Sequence, residues 1–209
     1  MRIANLMGLL LGAVLFANIS TASEPPSPPS LSSTAPQGND APIYKGAAEW
    51  GWLSGGGAGI AGGVRDGDFW ALHLRWGRVL TSDHGPSFLR GNLEYAVELV
   101  PAMVIFQSST AFGGGLTPVL LQYNFTSSRR VVPYIDAGAG MLFTTEQVPA
   151  GTSRFNFTPQ GGVGVYWFQR PRTAITLGVR YHHISNAGMT RSNPGRNSLF
   201  FYAGISWWR

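Results

Sequence analysis

His183 and Ser185 stand two residues apart in this chain, with Asn186 directly after them and Asn197 beyond a short polar loop. On an extended strand, residues at i and i+2 point the same way with Cα atoms about 6.5–7 Å apart, so an imidazole can reach a hydroxyl. A histidine that takes the proton of a serine turns a weak nucleophile into one that attacks an ester carbonyl. A third polar group that fixes the imidazole ring completes a triad-like set. Position 197 shares the parity of Leu199, Phe201 and Ala203, so Asn197 falls on the same face as His183 if the two segments pair. The Asn186 amide supplies a donor for an oxyanion.

The elements that must hold these groups are strands. From Thr173 to Ser185 the odd positions (Ile175, Leu177, Val179, Tyr181, His183, Ser185) oppose Ala174, Thr176, Gly178, Arg180, His182 and Ile184. This alternation gives one oily and one mostly polar face. A serine and a histidine on the oily face are costly in hydrocarbon, and their simplest non-catalytic explanation is a position near lipid head groups. By the same parity His182 points inward as a hydrogen-bonding residue, and His73 is read in the same way.

The pattern recurs. Trp70, Leu72, Leu74 and Trp76 alternate with Ala71, His73 and Arg75, and Leu89 to Leu99 alternates with Arg90, Asn92, Glu94 and Glu98. Segments 133–143 and 155–167 repeat it. Strands are expected near 46–60, 68–80, 88–105, 115–125, 131–144, 153–168, 173–186 and 198–208. The fold class is therefore all-β, an eight-stranded antiparallel transmembrane β-barrel whose narrow interior is filled by side chains. Arg75, Arg90 and Arg180 are expected to pair there with Glu94, Glu98 and Asp136, and inward Gly138, Gly140, Gly162 and Gly164 to make room for larger side chains. Trp52, Trp70, Trp76, Trp167, Trp207 and Trp208 are expected in interfacial girdles. A soluble sandwich would need cover for the oily faces, and no helical segments remain to provide it.

Composition agrees. Charged residues make up 12% of the 209-residue chain, Gly numbers 28, and cysteine is absent, which excludes disulfides, thiol chemistry and a cysteine zinc site. Residues 1–22, with Arg2 before an apolar run and Ser20-Thr21-Ala22 at its end, read as a secretory signal peptide. Residues 23–42 are a Pro/Ser-rich leader that cannot form a core, which leaves 43–209 for the barrel. The net charge of +5 comes from dispersed arginines in an exported chain without a nucleic-acid motif, so nucleic acid is not expected as a partner. Arg191 and Arg196 in the last loop, with Arg154 near another, are candidates for a phosphorylated lipid head group.

At His183-Ile184-Ser185-Asn186-Ala187-Gly188, followed by Asn193 and Gly195, the chain resembles the lipid A 3-O-deacylase family, the PagL type, of Gram-negative outer membranes. The likeness covers the domain in architecture, while its specific residues lie in the last thirty or so. It implies that His183 is the general base and Ser185 the nucleophile. It also implies that Asn186 and the Gly188 N–H form the oxyanion hole, and that the 3-O-linked hydroxyacyl chain of lipid A is hydrolysed without a metal or cofactor. The implied partner is lipid A, or lipopolysaccharide, met in the outer leaflet by a membrane-embedded chain; a homodimer is compatible with this reading. In the family pattern a Glu lies two residues after the loop glycine, where this chain has Asn197. An amide can hold an imidazole but brings no charge to an imidazolium, so Glu146, in the loop before the sixth strand, is an alternative acid. The competing function is a non-enzymatic barrel that binds lipopolysaccharide or stabilises the envelope.

Overall fold

The computed structural model describes residues 41–209; the expected signal peptide and residues 23–40 of the expected leader lie outside them. The strands are β1 (Ala48–Gly59), β2 (Asp68–Val79), β3 (Gly91–Phe106), β4 (Ala111–Phe125), β5 (Val131–Thr144), β6 (Phe155–Arg170), β7 (Thr173–Ile184) and β8 (Arg196–Trp208). Each pairs antiparallel with its sequence neighbours, and β1 pairs with β8, so the sheet closes into a barrel with no free edge. The third strand starts later than expected because Ser87–Leu89 forms a single 3-10 turn. The fourth starts earlier, since Gly113–Gly115 pairs with Leu142–Thr144. Those glycines carry no alternation, which hid the strand. A Cβ on Gly115 would lie 2.4 Å from the Met141 carbonyl oxygen, so the close backbone approach requires glycine there.

Alternation along each strand divides the molecule into an outside and a filled interior. Leu74, Leu99, Leu121, Ile135, Val163 and Phe201 are exposed on the outer face, forming an apolar surface that only lipid can cover. Inside, Arg75 contacts Glu49 (2.6 Å), Glu94 (3.0 Å) and Glu98 (3.1 Å), and Arg180 contacts Glu98 (2.8 Å) and Asp136 (2.9 Å). Glu98 thus ties both guanidinium groups, and also meets His73 Nδ1 at 3.0 Å. Charges taken out of water need such partners to offset their desolvation. Apolar clusters cap this ionic layer at both ends, one with Phe69, Phe200, Leu142 and Ile184, the other with Val79, Val132, Tyr166 and Trp208. Gly164 and Gly178 face the Tyr134 and Tyr202 hydroxyls, where any Cβ would come within 2.3 Å, and those two hydroxyls are hydrogen bonded at 2.9 Å.

Two expectations are corrected. Arg90 does not enter the interior. It precedes β3 with a side chain 61% exposed and meets Asp83 at 3.3 Å, and its place beside Arg75 is taken by Glu49 of β1, which brings a fourth acid in place of a third cation. Trp208 does not join a girdle, because its parity is that of Ser206 and Tyr202; it is buried inside against Tyr166. On the outer face, Trp50 lies opposite both Trp76 and Trp207, making with them an aromatic band near the start of β1 and the end of β8.

Candidate active site

β7 and β8 pair so that His183 lies directly opposite Asn197 and Tyr181 opposite Leu199. Directly opposed residues in an antiparallel pair share a face with their Cβ atoms about 4.5–5.5 Å apart. His183 Nδ1 approaches Asn197 Oδ1 at 2.6 Å, and the Tyr181 hydroxyl donates to the same oxygen at 2.7 Å. Asn197 Nδ2 donates to the Ala61 carbonyl at 3.2 Å, which fixes which end of the amide faces the imidazole. With its Oδ1 accepting, Asn197 holds the tautomer that carries hydrogen on Nδ1 and leaves the Nε2 lone pair free.

The segment between β1 and β2 closes over this pair. Ile60 N–H donates to the Asn197 carbonyl and Val64 N–H to that of Gly195, both at 2.9 Å, so residues 60–64 run beside the start of β8. A Cβ on Gly62 would lie 2.7 Å from Asn197 Nδ2. Gly195 adopts φ +64°, and a Cβ there would sit 2.8 Å from His183 Cε1, so this glycine is required by its backbone and by the ring packed on it. Asn197 is only 8% exposed, so it meets the imidazole largely out of water.

Ser185 follows the last residue of β7 and is held by reciprocal backbone bonds with Phe157 of β6, at 2.7 and 3.1 Å. Among the described residues no hydrogen bond joins its hydroxyl to His183. Asn186 is buried and organises the following turn: its Nδ2 donates to Thr190 Oγ1 (2.7 Å) and the Ser192 carbonyl (2.9 Å), its Oδ1 accepts from Gly188 N–H (2.9 Å), and its own N–H donates to Asn193 Oδ1 (3.1 Å). Both donors expected for an oxyanion are thus bonded within the loop.

The remaining candidates separate. Arg191 is exposed in the β7–β8 loop, and Arg154 is exposed in the β5–β6 loop beside Glu146 at 3.8 Å. Glu146 is therefore paired with Arg154, and the group at the imidazole is Asn197. Arg196 is corrected: it opens β8 with inward parity and is buried with its guanidinium over the Phe69 ring at 5.6 Å, out of reach of a head group beside the barrel. His182 also points inward, its ring 5.3 Å from that of Phe69. Sequence reasoning missed Tyr181 and the 61–63 segment as partners of Asn197. Tyr181 carried a signal, since it shares the parity of His183, whereas contact with residues 61–63 depends on barrel closure.

A closed antiparallel barrel with an oily exterior and an ionic interior defines the class of outer-membrane β-barrels, and this is an outer-membrane protein. A family model described as lipid A 3-O-deacylase (PagL) matches residues 55–206, and the chain belongs to that family. Among solved structures, the outer membrane enzyme PagL superposes with a TM-score of 0.57 at 19% identity, over 75% of this chain and 97% of that one. The outer membrane protein OprG from Pseudomonas aeruginosa follows at 0.51 and 11%, over 79% and 97%. At these identities the likeness is one of fold. No curated protein sequence matches the chain.

Proposed function

We propose that this barrel hydrolyses the 3-O-linked hydroxyacyl ester of lipid A, with Ser185 as nucleophile, His183 as general base and Asn197 as the group that orients the imidazole. The observation that carries the reading is the 2.6 Å contact of His183 Nδ1 with Asn197 Oδ1, made on the lipid-facing side two residues before Ser185. It leaves Nε2 to take a proton. Ser185 Oγ attacks the ester carbonyl carbon as its proton passes to Nε2, and the sugar 3-oxygen departs with that proton. Water, deprotonated by His183, then attacks the acyl-serine and releases the 3-hydroxy fatty acid.

In this mechanism the substrate draws the Ser185 hydroxyl towards Nε2, a contact that tightens in the complex. Oxyanion stabilisation by Asn186 and Gly188 requires their loop bonds to be exchanged for bonds to the substrate oxygen, so the Asn186 turn opens as the acyl group enters. Arg191 and Arg154 on neighbouring loops are suited to the phosphorylated sugar.

A second reading, a barrel that holds lipopolysaccharide without cleaving it, is favoured by the neutral Asn197 and by the occupied oxyanion donors. Mass spectrometry of lipid A from cells with and without the protein separates the two. Loss of one hydroxyacyl chain that disappears in Ser185→Ala supports hydrolysis; unchanged lipid A in cells holding the assembled barrel overturns it.

A further inference from the structure

The exposed charges are distributed unequally between the two ends. At the end that carries the start of β1, the end of β8 and the turns after β2, β4 and β6, Arg129 and Arg130 project from one turn and Arg170 and Arg172 from another, with Arg90 beside the 3-10 turn. Arg78, Lys45 and Arg209 extend the set, and all eight are exposed. Outside the interior, Asp83 is the one acidic side chain at this end among the described residues, and it already meets Arg90; Glu49, near the start of β1, is buried inside against Arg75. At the opposite end, where the candidate site lies, exposed Arg65, Arg154 and Arg191 are matched by Asp66, Asp68 and Glu146.

The position of these cations relative to the membrane is set by an independent feature. Trp50, Trp76 and Trp207 form an aromatic band at one level of the outer surface. Indole rings settle at the boundary between hydrocarbon and head groups. Arg78 follows Trp76 by two residues and Arg209 follows Trp207 by two, so each stands about 6.5–7 Å beyond the band on the same face. That step leads from the hydrocarbon edge into the layer of lipid phosphates. Short turns mark the periplasmic end of such barrels, where the leaflet is built of phospholipids; here the connections at 126–130 and 171–172 are short, and that at 80–90 is folded into a 3-10 turn at Ser87–Leu89.

From this we infer that the turn end of the barrel is a docking collar for anionic phospholipid head groups, in the leaflet opposite the candidate site. Guanidinium groups bind phosphate through paired N–H donors, and a ring of them below an indole band gathers negatively charged lipids and sets the height of the barrel in the bilayer. A fixed height would hold His183 and Ser185 at one depth in the other leaflet.

The test uses the refolded full barrel in zwitterionic detergent containing equal amounts of phosphatidylglycerol and phosphatidylcholine, with retained lipids counted by native mass spectrometry. Phosphatidylglycerol should be retained about fivefold over phosphatidylcholine at low salt. The preference should vanish near 1 M salt, where the screening length falls to about 3 Å. Arg129→Gln with Arg130→Gln, and Arg170→Gln with Arg172→Gln, should each weaken it. The four together should abolish it while the heat-modifiable band of the folded barrel persists, and Arg65→Gln at the other end should leave it intact. If the fourfold variant does not assemble, the two pairwise variants and the salt response of the unaltered protein still decide. Equal retention of both lipids, a preference that follows Arg65, or displacement by free glycerol phosphate at the same concentration would overturn the collar.

Discussion

Replacing Asn197 tests the candidate mechanism at the residue where this chain departs from the family pattern. Asn197→Ala removes the oxygen on which His183 Nδ1 (2.6 Å) and the Tyr181 hydroxyl (2.7 Å) converge, along with the donor to the Ala61 carbonyl (3.2 Å). A neutral hydrogen bond nets about 0.5–1.5 kcal/mol, and the freed ring also populates the tautomer with hydrogen on Nε2, so a barrier increase of about 1–2 kcal/mol, or roughly 5–30-fold in rate, is expected. Asn197→Glu acts in the other direction. Position 197 is only 8% exposed, so a carboxylate there meets the imidazolium under weak screening. A charge-assisted bond is worth about 1.5–3 kcal/mol, against about 1 for the neutral one it replaces. Part of the gain is spent on moving residues 61–62, since even a Cβ on Gly62 would come within 2.7 Å of Asn197 Nδ2. The assay is release of 3-hydroxy fatty acid from lipid A by purified variants in detergent, with assembly checked by heat-modifiable mobility. Equal rates with Asn, Ala and Glu at position 197 would refute the orienting role and leave a Ser–His dyad.

Ser185→Ala and His183→Ala should each remove hydrolysis from an assembled barrel, whereas His182→Ala, facing Phe69 inside, should alter heat resistance only; full activity in Ser185→Ala would mean a different nucleophile. Gly195→Ala puts a methyl group 2.8 Å from His183 Cε1 at φ +64°, and should cost about 1–2 kcal/mol of backbone strain and at least about tenfold in rate, read in the same assay. Arg180→Ala leaves Glu98 and Asp136 buried without their shared cation and should destabilise by about 3–5 kcal/mol, seen as a lower temperature for the gel shift. Arg90→Ala, solvated at the rim, should leave that temperature unchanged.

Much of this molecule was legible in the chain because a membrane barrel exposes its rule in every strand: alternate residues must suit lipid or the interior, and the parity of Leu74, Val163 and Phe201 therefore reads directly as orientation. The place of His183, Ser185 and Asn197 on one face followed from the same count. Parity fails where it has no sign to act on. The glycines at 113–115 carry none, and Arg90 and Trp208 lie at strand ends, where a side chain can go to solvent or to the interior without breaking the pattern. Arg196 looks like a loop charge in the sequence because the start of β8 depends on which residues pair with Ile184.

Chain order and side-chain alternation thus determine the barrel, its two faces and the set of residues that can meet at the end of β7, because these depend on contacts between neighbouring strands. Only the tertiary structure decides that residues 60–64 lie on Gly195–Asn197, that Ala61 fixes the Asn197 amide and Tyr181 shares its oxygen, and that Glu49 completes the interior ion network. The contacts of residues 60–64 and of Ala61 depend on β1 closing against β8, the first and last strands of the barrel, whereas Tyr181 reaches the same oxygen through the β7–β8 pair. The third depends on the register of β1 against β2, which sets Glu49 diagonally beside Arg75, a register that no local pattern encodes.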